Sequence, residues 1–144
     1  MVAVAHSSLG DRLKWPAGLA AFIAGEAYRR GVMISAGTDD DPDWSEHDSL
    51  LDAEVERLVS DVGMTPLDAL RSASEIGART VGELKSMGTI EPGKLANFVI
   101  LEHNPLTNIG DIHNVSKVVK HGLQYPRSAY HPVTAEEMKT RAPE

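Results

Sequence analysis

A short apolar run between two glycines is the feature that most restricts the fold of this 144-residue chain. Residues 32–36, Val-Met-Ile-Ser-Ala, lie between Gly31 and Gly37 and are too few for a helix. Consecutive apolar and β-branched residues in so short a run are typical of a strand buried on both faces. A helix is predicted before it, over 16–30, because Pro16 suits a first helical turn and apolar residues then recur at helical spacing. The order helix, glycine, buried strand indicates an α/β fold.

Two further helices are predicted after an acidic, irregular stretch at 39–48. An apolar stripe with helical periodicity runs through 50–62 and ends at a glycine. Thr65 and Pro66 then provide an N-cap and a first-turn proline for a helix over 66–81. Because only a tight turn joins the two helices, we expect them to pack as an antiparallel pair.

The chain has the pattern of β-structure from residue 88 onward. A Pro-Gly pair at 92–93 predicts a type II turn, and a strand follows over 95–102. Residues 118–125 predict a strand, a turn at His121-Gly122 and a returning strand. We therefore divide the chain into a first part at 1–87, a β-rich part at 88–125 and a tail at 126–144.

Composition argues against several classes of function. The chain has 21 acidic and 14 basic residues, a formal net charge of −7, which is unsuited to binding nucleic acid or an anionic membrane. It contains no cysteine, which excludes disulfides, thiolate catalysis and cysteine-ligated metal sites. No stretch has the length and hydrophobicity of a signal peptide or a membrane span, and a cytoplasmic location is favoured.

Two stretches of the sequence resemble the C-terminal part of enzymes in the amidohydrolase superfamily. The first is Gly37-Thr38-Asp39, which follows the predicted strand. The second starts with GMTPLDAL at 63–70 and continues as GTIEPGKLANFVIL at 88–101, before Asn-Pro-Leu at 104–106. The resemblance extends over residues 30–125 and is strongest to the imidazolonepropionase-like metal-dependent hydrolases and to related dipeptide and organophosphate hydrolases.

The resemblance implies the last strand or strands and the helices of a (β/α)8 barrel of TIM type, followed by part of a small β-sandwich. Residues 88–125 would belong to this sandwich, which both chain termini form in the family. A full barrel takes about 250 residues, so most of it would be supplied by protein outside this sequence. We therefore expect either a truncated reading frame or a subunit that completes a barrel, with an N-terminal barrel polypeptide or as a homo-oligomer.

The resemblance also implies a role for Asp39. In the family, the aspartate of this Gly-Thr-Asp motif ligates a divalent metal and takes the proton of the attacking water. A bound metal lowers the pKa of its water, and a carboxylate beside it can pass the proton on to a leaving amine. Asp39 is therefore the candidate catalytic residue and metal ligand. His47, further along the same loop, is a candidate substrate contact.

The implied cofactor of the intact enzyme is a divalent metal, zinc or manganese. The six histidines form neither His-x-His nor His-Glu-x-x-His, and apart from His47 each is interpreted as a surface or turn residue. A catalytic zinc site usually takes three protein ligands, so we expect no tightly bound metal on the isolated chain. Asp39, Asp41 and Asp43 match the start of a calcium loop, but the glycine and the final glutamate that such a loop requires are missing.

The function predicted from the resemblance is hydrolysis of carbon–nitrogen bonds in cyclic amides or small peptides, by an enzyme of which this chain is an inactive part when alone. The substrate would be a small molecule. The alternative is a non-catalytic binding or assembly module that retains the C-terminal fold of the family. In a third possibility, copies of the chain complete a metal site by oligomerising, with histidines from neighbouring copies.

Overall fold

The computed structural model describes residues 18–38 and 50–129 of the chain. In these residues, four helices precede a three-stranded antiparallel sheet with the order β1-β2-β3. The helices are α1 (Leu19–Arg29), α2 (Leu50–Ser60), α3 (Pro66–Ala73) and α4 (Glu75–Thr80), and the strands are β1 (Phe98–Leu101), β2 (Val115–Lys120) and β3 (Leu123–Pro126). Short 3₁₀ helices, Ile109–His113 and Arg127–Ala129, precede β2 and follow β3. None of the described helices is long and apolar enough to cross a membrane.

Helix α1 confirms the helix predicted before Gly31, although the predicted start at Pro16 lies outside the described residues. The helix ends in a Schellman motif. Gly31 donates to the Tyr28 carbonyl at 2.9 Å, and Val32 donates to the Ala27 carbonyl at 3.0 Å. Gly31 has φ 77°, a value that strains residues with a side chain. This requirement is the reason why a glycine ends the helix.

The strand predicted at 32–36 is absent from the described structure. These residues belong to no sheet, and Val32 and Met33 are exposed over 54% and 64% of their surface. Ala36 donates to the Ser72 carbonyl at 3.2 Å, which is a bond to a helix and not to a strand. A strand requires a neighbouring strand for its hydrogen-bond ladder, and none of the described strands lies beside this segment. The prediction of a strand buried on both faces is therefore wrong for the described residues.

Helices α2 and α3 and the turn between them supply most of the helical core, as the pattern of apolar residues predicts. The buried apolar cluster comprises Ala24, Ile34, Val55, Leu58, Val62, Met64 and Ala69. The turn between the two helices closes where Met64 donates to the Leu58 carbonyl at 2.9 Å. The Thr65 hydroxyl accepts from the Asp68 amide at 3.2 Å and caps α3 as predicted. The predicted packing of these two helices against each other is thus confirmed.

The single helix predicted over 66–81 is divided at Ser74. This residue has φ −116° and ψ −83°, outside helical values, so α3 ends before it and α4 begins after it. Gly88, the first residue of the motif at 88–101, packs against α4. A Cβ built on Gly88 would lie 2.5 Å from the Cβ of Ala78, which leaves room only for glycine. Gly88 therefore lets the loop before the sheet pack closely against α4.

Both turns predicted in the β-rich part are confirmed. Gly93 has φ 89°, and Lys94 donates to the Glu91 carbonyl at 3.2 Å, as in a type II turn. His121 and Gly122, between β2 and β3, have φ 51° and 78°, as a type I′ turn requires.

The strands of the sheet confirm the β-structure predicted at 95–102 and 118–125, although β2 starts earlier, at Val115. Val118 lies opposite Val99 on one side and Tyr125 on the other, and Leu123 lies opposite Lys120. Residues directly opposite each other share a face, and so do residues two apart on one strand. One face therefore carries four exposed apolar side chains, here called the exposed sheet face: Val99, Val118, Leu123 and Tyr125.

The 3₁₀ helix before β2 connects the sheet to α2. Its Ile109 and Ile112 pack against the helical core. At its end, His113 lies between two carboxylates of α2, with Nε2 3.2 Å from Glu56 and Nδ1 3.8 Å from Asp52. These contacts hold the sheet half against the helical half.

Candidate functional site

The candidate catalytic residue Asp39 and the candidate substrate contact His47 both lie outside the described residues. The calcium-loop alternative, which involves Asp41 and Asp43, lies outside them as well. The roles of these side chains therefore stay predictions. What the structure does describe is the segment that leads to Asp39 and the elements that support this segment.

The segment before Asp39 is attached to the helices at two points. Ile34 is buried in the core cluster, with 6% of its surface exposed. Two residues later, the amide of Ala36 donates to the carbonyl of Ser72 near the end of α3. The chain is therefore held by a packing contact and by a backbone hydrogen bond just before it reaches the candidate residue.

Helix α2, which follows the acidic stretch, carries a buried carboxylate that the sequence analysis did not single out. Glu54 has 1% of its surface exposed. It lies four residues before Leu58 and eight before Val62, at the helical spacing of the core stripe. This spacing is the signal that could have identified Glu54, because a charged residue on the apolar stripe of a helix is an exception among buried residues.

The histidines of the described residues behave as surface residues. His103, His113 and His121 are all exposed, as predicted, while His6 and His131 lie outside the described ranges. Within residues 18–38 and 50–129, no three histidine, aspartate or glutamate side chains come together in a way that could hold a metal ion. The described residues alone therefore do not fit a divalent metal.

Asp68, in the GMTPLDAL motif, is a carboxylate with a shifted pKa. The Tyr28 hydroxyl donates to it at 2.6 Å and the Thr65 hydroxyl at 2.7 Å. These two hydrogen bonds, and then the positive charge of Arg71, hold the pKa of Asp68 below its usual value, while partial burial opposes them. The network ties the end of α1 to the start of α3.

The fold and the two motifs agree with one family of enzymes. A sequence model of the amidohydrolase family matches residues 20–124, which include both the helices and the sheet. The chain belongs to the amidohydrolase family. This finding confirms the resemblance seen in the Gly-Thr-Asp and GMTPLDAL motifs.

Individual relatives include enzymes of different activities. The chain is 33% identical over 97 residues to an adenine deaminase from Gluconobacter oxydans, in an alignment that covers 67% of this chain and 17% of the relative. A solved Xaa-Pro dipeptidase with bound methionine matches with a TM-score of 0.69 and 29% identity, over 78% of this chain and 27% of that one. The ochratoxinase of A. niger matches with a TM-score of 0.68 and 28% identity, over 81% and 26%. The chain thus spans less than a third of each relative.

Proposed function

We propose that this chain is the C-terminal part of a metal-dependent amidohydrolase that hydrolyses carbon–nitrogen bonds of cyclic amides or small peptides. The observation that carries the proposal is the family match over residues 20–124 together with Gly-Thr-Asp at 37–39. Relatives named as a dipeptidase and as an adenine deaminase support this class of bond. Asp39 is assigned the roles of metal ligand and general base, and His47 that of a substrate contact.

The metal site needs ligands beyond those that the structure describes. Members of the family are generally metal-dependent, and zinc is favoured over manganese, yet the described residues contain no set of three ligands. A single carboxylate supplies too few ligands for tight binding. We therefore expect calorimetry to show only weak binding of zinc or manganese to the isolated chain. A sub-micromolar zinc isotherm that is lost in histidine-to-alanine variants would contradict this expectation.

Exposed apolar residues in the helical half support a larger intact protein. Phe22, Ile23, Val32 and Met33 each have nearly half or more of their surface exposed, and they lie on α1 and on the segment that follows it. Large apolar side chains exposed in this number are a sign of a surface that contacts other protein. We propose that further barrel strands and helices cover it, so that 32–36 becomes the last barrel strand when its neighbours are present.

The exposed sheet face supports the same conclusion for residues 88–125. A three-stranded sheet gains stability when a second layer covers its apolar face. We propose that this layer is the other half of a small β-sandwich. The missing protein would be an N-terminal barrel polypeptide, or other copies of the chain in a homo-oligomer.

The test is a chimera in which residues 30–144 replace the corresponding C-terminal part of a related Xaa-Pro dipeptidase. The chimera supplies barrel strands that the described residues lack. We expect the purified, metal-loaded chimera to hydrolyse a dipeptide or a cyclic amide. A chimera that folds and binds metal but hydrolyses neither substrate would favour the alternative function, a non-catalytic binding or assembly module.

A further inference from the structure

Two serine hydroxyls bond back to backbone carbonyls at the interruption between α3 and α4. The Ser72 hydroxyl donates to the Ala69 carbonyl at 2.6 Å, and the Ser74 hydroxyl donates to the Leu70 carbonyl at 2.7 Å. Serine hydroxyls that bond back to carbonyls of the preceding turn compete with the helical backbone pattern and bend helices. The backbone leaves helical values at Ser74, whose own hydroxyl makes the second of these bonds.

The interruption gives the Ser72 carbonyl a new partner. In a continuous α-helix this carbonyl would accept from the amide four residues later, that of Ile76. In this structure it accepts from the Ala36 amide at 3.2 Å. Ser72 has 1% of its surface exposed. Without this bond, its carbonyl would be buried with neither water nor a protein donor as a partner, which is destabilising.

The first turn of α4 packs against the Ser72 carbonyl from the other side. A Cβ built on Gly77 would lie 3.6 Å from the Ser72 carbonyl oxygen and 4.0 Å from the Ser35 hydroxyl. The end of α3, the start of α4 and the segment before Asp39 therefore meet at one point.

We propose that Ser72 and Ser74 are positioning residues, whose helix interruption offers the Ser72 carbonyl to Ala36 and so sets the register of the segment that ends at Asp39. The inference rests on the proposed function for the role of Asp39. Ala36 precedes Asp39 by three residues. A slip of one residue in an extended chain displaces the backbone by about 3.3 Å, and a displacement of about 1 Å at a reacting group can cost ~100-fold in rate.

Amide hydrogen exchange on the full-length chain, measured by NMR, tests this role without any catalytic assay. In the wild type, the Ala36 amide should exchange slowly. In the double variant Ser72→Ala, Ser74→Ala, the helix should become continuous, and the Ala36 amide should exchange at least about tenfold faster. The amide of Met64, in the α2–α3 turn, should keep its rate, because the core does not depend on the two hydroxyls.

Two single variants make the test specific. Ser74→Thr keeps a hydroxyl that can bond to the Leu70 carbonyl, so Ala36 should remain protected. Thr80→Ala removes a back-bond of the same kind, to the Ile76 carbonyl at 2.9 Å, but one away from the interruption. It should leave Ala36 unchanged. If the double variant does not fold, Ser74→Ala alone is compared with Ser74→Thr.

An Ala36 amide that exchanges equally fast in the wild type and in the variants without the Ser74 hydroxyl would overturn the positioning role. This result is independent of the dipeptidase chimera. An inactive chimera would count against the proposed function, whereas the exchange rates alone decide whether the two serines hold the segment.

Discussion

The helical half and the sheet half of the molecule differ in how well each buries its own apolar residues. In the helical half, Leu58 and Val55 have none of their surface exposed and lie in a cluster to which α1, α2 and α3 all contribute. In the described sheet, Val119 is buried, whereas the exposed sheet face leaves four apolar side chains in solvent. The helices thus form a core among themselves, even though α1 leaves Phe22 and Ile23 exposed. The sheet exposes the apolar side chains of one whole face, as expected of a surface that another layer covers.

The largest expected effect concerns chemistry, which we assign to the helical half. In the dipeptidase chimera, Asp39→Asn should lower kcat by about 10²–10⁴-fold, because an amide cannot accept a proton from water. The loss should fall mainly in kcat, with a smaller change in KM. His47→Ala, the matched control in the same loop, should cost far less. If Asp39→Asn kept nearly full turnover while His47→Ala abolished it, the assignment of the general base would be wrong.

The next prediction compares the two halves directly through one residue type. Leu58→Ala, in the helical core, should lower the free energy of unfolding by about 2–5 kcal/mol, because it leaves a cavity. Leu123→Ala, on the exposed sheet face, should change it by less than about 0.5 kcal/mol. Urea denaturation of both variants measures the difference, at a protein concentration low enough to keep the chain monomeric. Equal losses would show that something already covers the sheet face in the isolated chain.

The exposed sheet face should also make the isolated chain associate. We expect oligomers in sedimentation and strong binding of a hydrophobic dye, since the four apolar side chains form one patch. Val118→Thr with Tyr125→Thr should reduce both signals while keeping β-branched residues in the strands. A wild-type chain that stays monomeric at high concentration and binds little dye would contradict this prediction.

Local signals in the sequence correctly predicted the helix ends, whose hydrogen bonds join residues close together in the chain. The end of α1 at Gly31 and the cap of α3 at Thr65 depend on hydrogen bonds within a few residues, and both are present. The hairpin turn at His121 has the backbone angles that its sequence predicts, but it is also held from a distance, since its amides donate to the Asn97 side chain and the Ala96 carbonyl. The interruption at Ser74 was not predicted, because a serine inside a helical pattern usually changes little.

The strand predicted at 32–36 depends on contacts with distant parts of the protein. Its apolar pattern is typical of a strand that has other elements packed on both faces. The sequence pattern does not show whether those elements are present. For the candidate site, the Gly-Thr-Asp motif proposed Asp39 and the position in the same loop proposed His47; both lie outside the described residues and stay predictions, and neither signal pointed to the buried Glu54. The helical spacing marks Glu54 as a charged residue on the apolar stripe of α2, but its burial depends on tertiary packing.

The smallest expected effect concerns the network that joins α1 to α3 in the helical half. Hydrogen bonds from the Tyr28 and Thr65 hydroxyls lower the pKa of Asp68 in the folded chain. Because the folded pKa lies below the unfolded one, the stabilisation is present above about pH 4 and is lost as the pH falls through the folded value.

Asp68→Asn should cost at most about 1 kcal/mol at neutral pH, since water screens a partly exposed network. The urea midpoints of the wild type and the variant should therefore converge as the pH is lowered from about 6 to 3. Asp61→Asn, at an exposed position after α2, is the control for the loss of a carboxylate outside this network. A constant difference for Asp68→Asn over this range would mean that the carboxylate charge does not stabilise the contact.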